Sequence, residues 1–249
     1  MRIVPVPCMQ DNYAYLVIDE ATKNAAAVDP SEHAPVLAAA AEEGVQLREL
    51  WLTHHHFDHV GGIEGIAEAV PDLVIRGSAH DHREKRIPKQ TTAHEDGDVF
   101  TFEGHEVRVI DNPGHTLGAI SFFAEGNLCS GDTLFIGGCG RVFEGTMQMM
   151  KDSLGKLRDL PRDASVWCGH EYTVKNLEYA AGVEPENSEV AAALAAAKSK
   201  RAKGEMTVPG TIGAERSTNP FFRYDVPTIA AGPDDVARFT ALREGKDRF

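Results

Sequence analysis

The sequence predicts an α+β fold in which two β-sheets pack between helices, followed by a smaller helical domain. Three observations lead to it. Short runs of β character recur through the first two-thirds of the chain with helices interspersed. Several of these strands end in histidine or aspartate. Beyond Tyr172 the texture changes to Ala-, Leu- and Lys-rich helix. A length of 249 residues accommodates one large domain with an appendage, and the boundary is expected at 172/173, giving regions 1–172 and 173–249.

In chain order, Arg2–Val6, Asn12–Ile18 and Ala25–Val28 read as short strands separated by turn residues, an antiparallel opening built from hairpins. Ala34–Glu43 has helical composition and stops at Gly44, after which Leu47–Thr53 is a strand. Ile63–Val70 reads as a helix. Val74–Ile75, Val99–Phe102, Glu106–Ile110, Ala119–Phe123 and Asn127–Ser130 follow as short strands. The charged stretch Ser78–Asp98, with His80, His82 and His94, reads as a solvated loop, and His33 and His105 as isolated loop residues. Past Tyr172, Val174–Ala181 and Ser188–Lys203 read as helices, the second capped by Ser188, and no alternating strand pattern returns. Thr218-Asn219-Pro220-Phe221-Phe222 is a turn followed by two aromatics. A short helix, Pro233–Leu242, then precedes a charged tail.

Composition narrows the class. Hydrophobic residues at 42%, charged residues at 25% and a mean hydropathy of −0.28 describe an ordinary globular protein, not a disordered one. No apolar run reaches membrane-spanning length and the first residues lack a secretory layout, so a cytoplasmic protein with no membrane partner is expected. A formal net charge of −13 argues against nucleic acid as a partner, and an anionic small substrate would require a local cluster of Lys and Arg. Cys8, Cys129, Cys139 and Cys168 show neither a CxxC pair nor framework spacing, so they read as small buried hydrophobes without disulfides or a thiolate zinc site. No dimer signature is visible, and a monomer is expected.

The chemistry concentrates at strand ends. Leu50 to Gly62 delivers His54, His56, Asp58 and His59 to the polar end of an apolar strand; if the strand continued, His54 and His56 would share one side and His55 would face the other. Imidazole suits zinc or iron and a carboxylate adds charge, so four such groups within six residues can serve more than one ion. His115 follows Pro113-Gly114 at a turn. Asp132, after another strand, is the anionic bridge that two adjacent cations would need. His170 closes a third strand end after Gly169. Seven candidate ligands for two ions leave positions open for water, which is the arrangement of catalysis and not of a closed structural site.

With its His-x-His-x-Asp-His signature, this set resembles the ligands of the metallo-β-lactamase superfamily, whose fold is an αββα sandwich. Gly138-Cys139-Gly140-Arg141, Glu144-Gly145-Thr146, Gly169-His170-Glu171-Tyr172-Thr173 and Asn219-Pro220-Phe221 resemble one branch, glyoxalase II, the hydroxyacylglutathione hydrolases. The resemblance implies that His54, His56 and His115 hold one divalent ion, that Asp58, His59 and His170 hold the second, and that Asp132 bridges them. Zinc is the first expectation, with iron or manganese as alternatives.

It also implies hydrolysis of S-(2-hydroxyacyl)glutathione, typically S-D-lactoylglutathione, to glutathione and D-lactate in methylglyoxal detoxification. Hydroxide bridging the ions would be the nucleophile, with Asp58 and Asp132 as its catalytic carboxylates. Arg141, Tyr172, Arg243 and Lys246 become contacts for glutathione, although by themselves Arg243 and Lys246 read as a solvated tail. Phe143 departs from members that carry a hydroxyl-bearing Tyr at that place. Persulfide dioxygenases, which use a single iron and oxygen on glutathione persulfide, share the signature and form the alternative. A lactamase, a nuclease and a non-catalytic binder fit less well.

Overall fold

Strands rich in Val, Ile, Ala and Tyr alternate with short helices from the first residues of this computed structural model, which describes residues 1–249. The chain begins β1 (Arg2–Cys8), β2 (Asn12–Ile18), β3 (Asn24–Val28), α1 (His33–Glu42), β4 (Gln46–Trp51), α2 (Phe57–Val60) and α3 (Ile63–Ala69). It continues through β5 (Val74–Ser78), α4 (Ala79–Glu84), β6 (Thr92–His94), β7 (Val99–Phe102), β8 (His105–Asp111), β9 (Ile120–Ala124), β10 (Asn127–Gly131), β11 (Leu134–Phe135), β12 (Gly138–Cys139), α5 (Met147–Arg158) and β13 (Ser165–Cys168). The remainder is α6 (Thr173–Val183), α7 (Ser188–Ala202), β14 (Gly210–Thr211), α8 (Ile212–Thr218) and α9 (Asp235–Arg248).

One six-stranded sheet runs β1-β2-β3-β4-β5-β6, antiparallel between β1, β2 and β3 and parallel from β3 to β6. The switch follows from connection length: tight turns join the first three strands, whereas helix α1 carries the chain from β3 back to start β4 in the same direction. The second sheet is ordered β14-β13-β10-β9-β8-β7, and β11 pairs with β12 in a small hairpin. No helix is long and apolar enough to cross a membrane.

By compactness the chain divides into two units. The first comprises Met1–Asp111, Gly118–Glu125 and Cys129–Gly131, and the second Asn112–Leu117, Gly126–Leu128 and Asp132–Phe249. In the first, Leu16, Ile18, Val36, Leu50, Leu52, Ile63 and Ile66 are fully buried together, and every residue of β2 is buried, as a central strand covered on both faces requires. Trp51 stands edge-on to Phe100 and Phe102 at 5.4 and 5.5 Å and gives its indole N–H to Glu49 Oε2 at 2.7 Å. Glu49 is also the bidentate partner of Arg76, at 2.7 and 2.8 Å.

In the second unit, α5 buries Met150, Leu154 and Leu157, and α9 buries Phe239 and Leu242. The Tyr179 hydroxyl donates to the Leu242 carbonyl at 2.6 Å, tying α6 to α9. Phe221 and Phe222, after the Asn219-Pro220 turn, are completely buried. The carboxyl of Glu215 accepts from the Gly137 amide and from Asn219 Nδ2, both at 2.8 Å, and Asn219 Nδ2 also reaches the Gly138 carbonyl at 2.9 Å. The turn that leads into Arg141 is thus fixed from α8.

Several expectations are corrected. Ser78–Asp98 is not a solvated loop: it contains the end of β5, α4 and β6, with Asp81 and His94 buried. His105 lies within β8, its ring between Glu125 Oε1 at 2.7 Å and Asp19 Oδ1 at 3.1 Å, and His33 opens α1. The cap of α7 is Asn187, whose side chain accepts from the Glu189 and Val190 amides, so Ser188 is already the first helical residue. A short strand, β14, does return after residue 173, pairing with β13. The charged tail is helical, since α9 runs on to Arg248 and buries Arg243. Helix α5 was not read from the sequence.

Burial pushes the Glu215 carboxyl up to about 7, against the two hydrogen bonds that favour its charged form. The fold therefore holds a proton that the unfolded chain releases, and its contribution is lost as pH rises through about 7. Compared with a Glu215→Gln variant by urea unfolding, the parent is expected to lose relative stability between about pH 4.5 and 7. A difference that stays flat across that window would contradict the assignment.

Candidate metal centre

Strand β4 ends at Trp51, two residues earlier than expected, because side chains take over its ladder. The Leu52 amide still bonds to the Arg76 carbonyl at 2.9 Å, but the Thr53 amide turns to Asp29 Oδ1 at 2.8 Å. His54, His55 and His56 therefore lie in a turn, and Asp58 and His59 in the single turn of α2. His54 and His56 nevertheless face each other, with Nε2 of the first 3.1 Å from Nδ1 of the second.

Asp29, at the end of β3, organises this segment. Its Oδ2 accepts the Thr53 hydroxyl at 2.6 Å and lies 3.0 Å from His59 Nδ1. A carboxylate accepts, so His59 carries its proton on Nδ1 and turns Nε2 outward as a lone pair. The Thr53 hydroxyl spends its one proton on Asp29 and can only accept from His54 Nδ1, 3.1 Å away, which leaves His54 Nε2 as a lone pair too. Both rings are only 1% exposed, so neither tautomer is chosen by solvent. Asp29, His54 and His59 offer ligand atoms within 4.8 Å of one another, but the Asp29 oxygens are engaged by Thr53 and His59, which makes it the orienting carboxylate behind the ligands. Asp58 is the exposed member, its side chain 37% accessible, with Asn12 Nδ2 donating to its Oδ2 at 3.1 Å and to its carbonyl at 3.0 Å.

In the second unit His115, Asp132 and His170 come together. Asp132 Oδ2 lies 3.5 Å from His115 Nε2 and 3.3 Å from His170 Nε2, and all three are buried. His115 Nδ1 is 2.8 Å from the Arg141 carbonyl, which fixes the proton on Nδ1 and leaves Nε2 for a cation. Gly140 permits this approach, because a Cβ there would collide with the Asp132 carbonyl. The Tyr172 ring stacks on His170 at 4.7 Å and 4°. The Phe143 ring stands 5.3 Å from His115 and is 60% exposed.

The expected cationic cluster lies in the same unit. Arg243 is 4% exposed and donates to the Cys139 carbonyl at 2.9 Å and to Asp247 Oδ1 at 3.1 Å, while Arg141 Nε reaches the same Asp247 oxygen at 3.1 Å. Lys246 donates to the Lys175 carbonyl at 3.1 Å and lies over the Tyr179 and Phe249 rings. Burial, then the neighbouring Arg243 and Lys175, brings the Lys246 ammonium down to about 8. Two arginines share one carboxylate with Lys246 nearby, against the acidic balance of the whole chain. Asp29 and Lys175 are the residues that the sequence reading missed. Asp29 could have been found as a carboxylate at the end of the strand beside β4.

Imidazoles with preset tautomers and carboxylates, without thiolate, fit divalent cations of intermediate hardness. Comparison with known proteins agrees. Residues 11–170 match the metallo-β-lactamase superfamily, and residues 171–249 match the family described as hydroxyacylglutathione hydrolase C-terminus. Curated hydroxyacylglutathione hydrolases of Gloeobacter violaceus and of Synechococcus sp. (strain JA-3-3Ab) are 48% and 45% identical, each over 100% of both chains. The crystal structure of the BLEG-1 B3 metallo-β-lactamase superposes with a TM-score of 0.69 over 89% of this chain and 99% of its own; at 20% identity that likeness speaks for the fold alone. The chain belongs to the metallo-β-lactamase superfamily and, within it, to the hydroxyacylglutathione hydrolase family.

Replacing Asp29 by Ala removes the acceptor that sets both His54 and His59. Affinity for zinc, measured by competition with a chromogenic chelator, is expected to fall by about 10- to 100-fold. Unchanged affinity would mean that the tautomers are set elsewhere.

Proposed function

We propose that this chain hydrolyses S-(2-hydroxyacyl)glutathione, typically S-D-lactoylglutathione, to glutathione and a 2-hydroxy acid such as D-lactate. This would be the second step of methylglyoxal detoxification, carried out by a cytoplasmic monomer with a boundary near residue 172 between catalytic and substrate-binding domains. The observation that carries the reading is full-length identity of up to 48% to curated hydroxyacylglutathione hydrolases, joined to a cationic cluster, anchored by the buried Arg243, that suits glutathione's carboxylates. A glutathione persulfide dioxygenase with a single iron is not favoured, because candidate ligands for a second ion are all present and the C-terminal family match covers Arg243 and Lys246.

His54, His56 and His115 would hold one divalent ion, Asp58, His59 and His170 the other, with Asp132 between them. The types of side chain that each unit brings, His54, His56, Asp58 and His59 in the first and His115, Asp132 and His170 in the second, support the assignment, and zinc is the first choice, before iron or manganese. Such ions supply a water whose pKa is lowered to about 7 and polarise the thioester carbonyl. Asp58 accepts a hydrogen bond from the attacking water and orients it, itself held by Asn12. Asp132, buried between His115 and His170, keeps negative charge where two cations would otherwise repel. The leaving group is a thiolate with an ordinary pKa of about 8.5, so no side chain needs to protonate it. Arg141, Arg243 and Lys246 meet the glutathione carboxylates and Tyr172 packs beside them. Phe143 offers a ring but no hydroxyl.

Purified, metal-replete protein is expected to remove the thioester absorbance of S-D-lactoylglutathione, with the activity lost in EDTA and about two ions found per chain. Asp58→Ala should lower kcat by about 10²- to 10⁴-fold. Protein that hydrolyses other thioesters but leaves this one intact, or that consumes oxygen with glutathione persulfide, would sink the proposal.

Lys246 binds an anion only while protonated. KM should therefore rise as pH climbs through about 8, whereas Lys246→Arg should keep KM flat across the same range. Lys246→Ala should raise KM by about 10- to 100-fold at neutral pH with kcat little changed.

A further inference from the structure

Asp81 has no part in the mechanism above, yet it is the most completely enclosed carboxyl in the first unit, with 0% exposure. It sits in the first turn of α4, its amide held by Ser78 Oγ at 3.0 Å. Neither of its side-chain oxygens makes a hydrogen bond. Around Oδ1 instead stand three basic groups at longer range: His55 Nδ1 and His80 Nδ1, each at 3.5 Å, and Arg86 Nη1 at 3.8 Å. A carboxyl group taken wholly out of water without short hydrogen bonds is costly, and its neighbours are the place to look for what it does.

Two of its contacts bear on the ligand-carrying backbone. His55 is the residue between His54 and His56, and its ring centroid lies 6.5 and 5.0 Å from theirs. Gly118, three residues beyond His115, packs directly on the Asp81 carboxyl, and any Cβ at that position would collide with it. Only a residue without a side chain lets the carboxyl sit where it does.

We propose that Asp81 is a positioning residue: its buried carboxyl anchors the His55 ring and so fixes the backbone between His54 and His56, while resting on Gly118 in the turn that follows His115. This rests on the reading of His54 and His56 as metal ligands. His55 belongs to none of the candidate ligand groups, and Asp81 acts only through it. His80 and Arg86 complete the charge around the carboxyl but lie on α4 and just after it, so they carry no ligand with them.

The test is zinc retention against a chelator, with the thermal midpoint of the metal-free protein measured alongside. Asp81→Asn keeps the shape and removes the anion. It is expected to weaken zinc binding by about 10- to 100-fold, as loss of an outer partner of a ligand segment does, with the metal-free midpoint close to that of the parent. His55→Ala should give a loss of similar size, and the double variant should lose no more than either single one, because both break the same link. Losses that add, or a fallen midpoint with zinc retention unchanged, would overturn the proposal and leave Asp81 as a packing residue. Should Asp81→Asn fail to fold, His55→Asn against His55→Ala decides: Asn keeps a donor close to the Nδ1 position and should retain zinc within about threefold of the parent, and equal losses in the two would refute the link. Zinc retention needs no substrate. Coupling observed in protein that cleaves no glutathione thioester would therefore overturn the functional proposal and leave this one standing.

Discussion

The buried carboxylate of Asp29 receives the Thr53 amide, the Thr53 hydroxyl and the His59 ring, and much of the first unit's chemistry depends on those three bonds. They end strand β4, turn the histidine run out of the sheet, and decide which nitrogen of His54 and of His59 carries a proton. An imidazole in water exchanges its tautomers freely; here two rings are held in the form that presents Nε2 as a lone pair before any cation arrives. The second unit reaches the same result with a backbone group, the Arg141 carbonyl at His115 Nδ1. Side chain and main chain thus do the same work on different ligands.

Arg141, whose carbonyl meets His115, also joins that ring to the cationic cluster. The residue whose carbonyl orients His115 extends its guanidinium to Asp247, which in turn pairs with Arg243 on α9. Two arginines sharing one carboxylate hold a geometry that either alone, on a flexible stem, would lose to rotamer entropy. Against a net charge of −13, this is a local concentration of positive charge of the kind an anionic ligand would need.

The candidate histidines and aspartates and most strands were legible in the sequence because their signals are local. Apolar runs mark β1 and β2 and apolar alternation marks β8, and four candidate metal ligands within six residues need no partner to be noticed. What was misread depends on burial that one segment cannot reveal by itself. Asp81 and His94 have the composition of a surface loop, and only packing shows them enclosed. Arg243 looks like a tail residue because nothing nearby in sequence shows that Cys139 and Asp247 receive its guanidinium. Ser188 and Asn187 are both good caps, and the choice between them turned on a one-residue difference in helix register.

The protein carries two tryptophans, Trp51 and Trp167, and each lies three residues before a histidine of the ligand set, His54 and His170. Trp51 is enclosed by phenylalanines and bonded to Glu49 in the first unit; Trp167 is in the second, its indole N–H donating to Asn127 at 3.0 Å. Each unit therefore has its own built-in fluorophore next to its own share of the chemistry. With one indole replaced by phenylalanine, the emission of the other becomes a private record of its unit, so that melting, refolding and metal uptake can be followed in each half without a label.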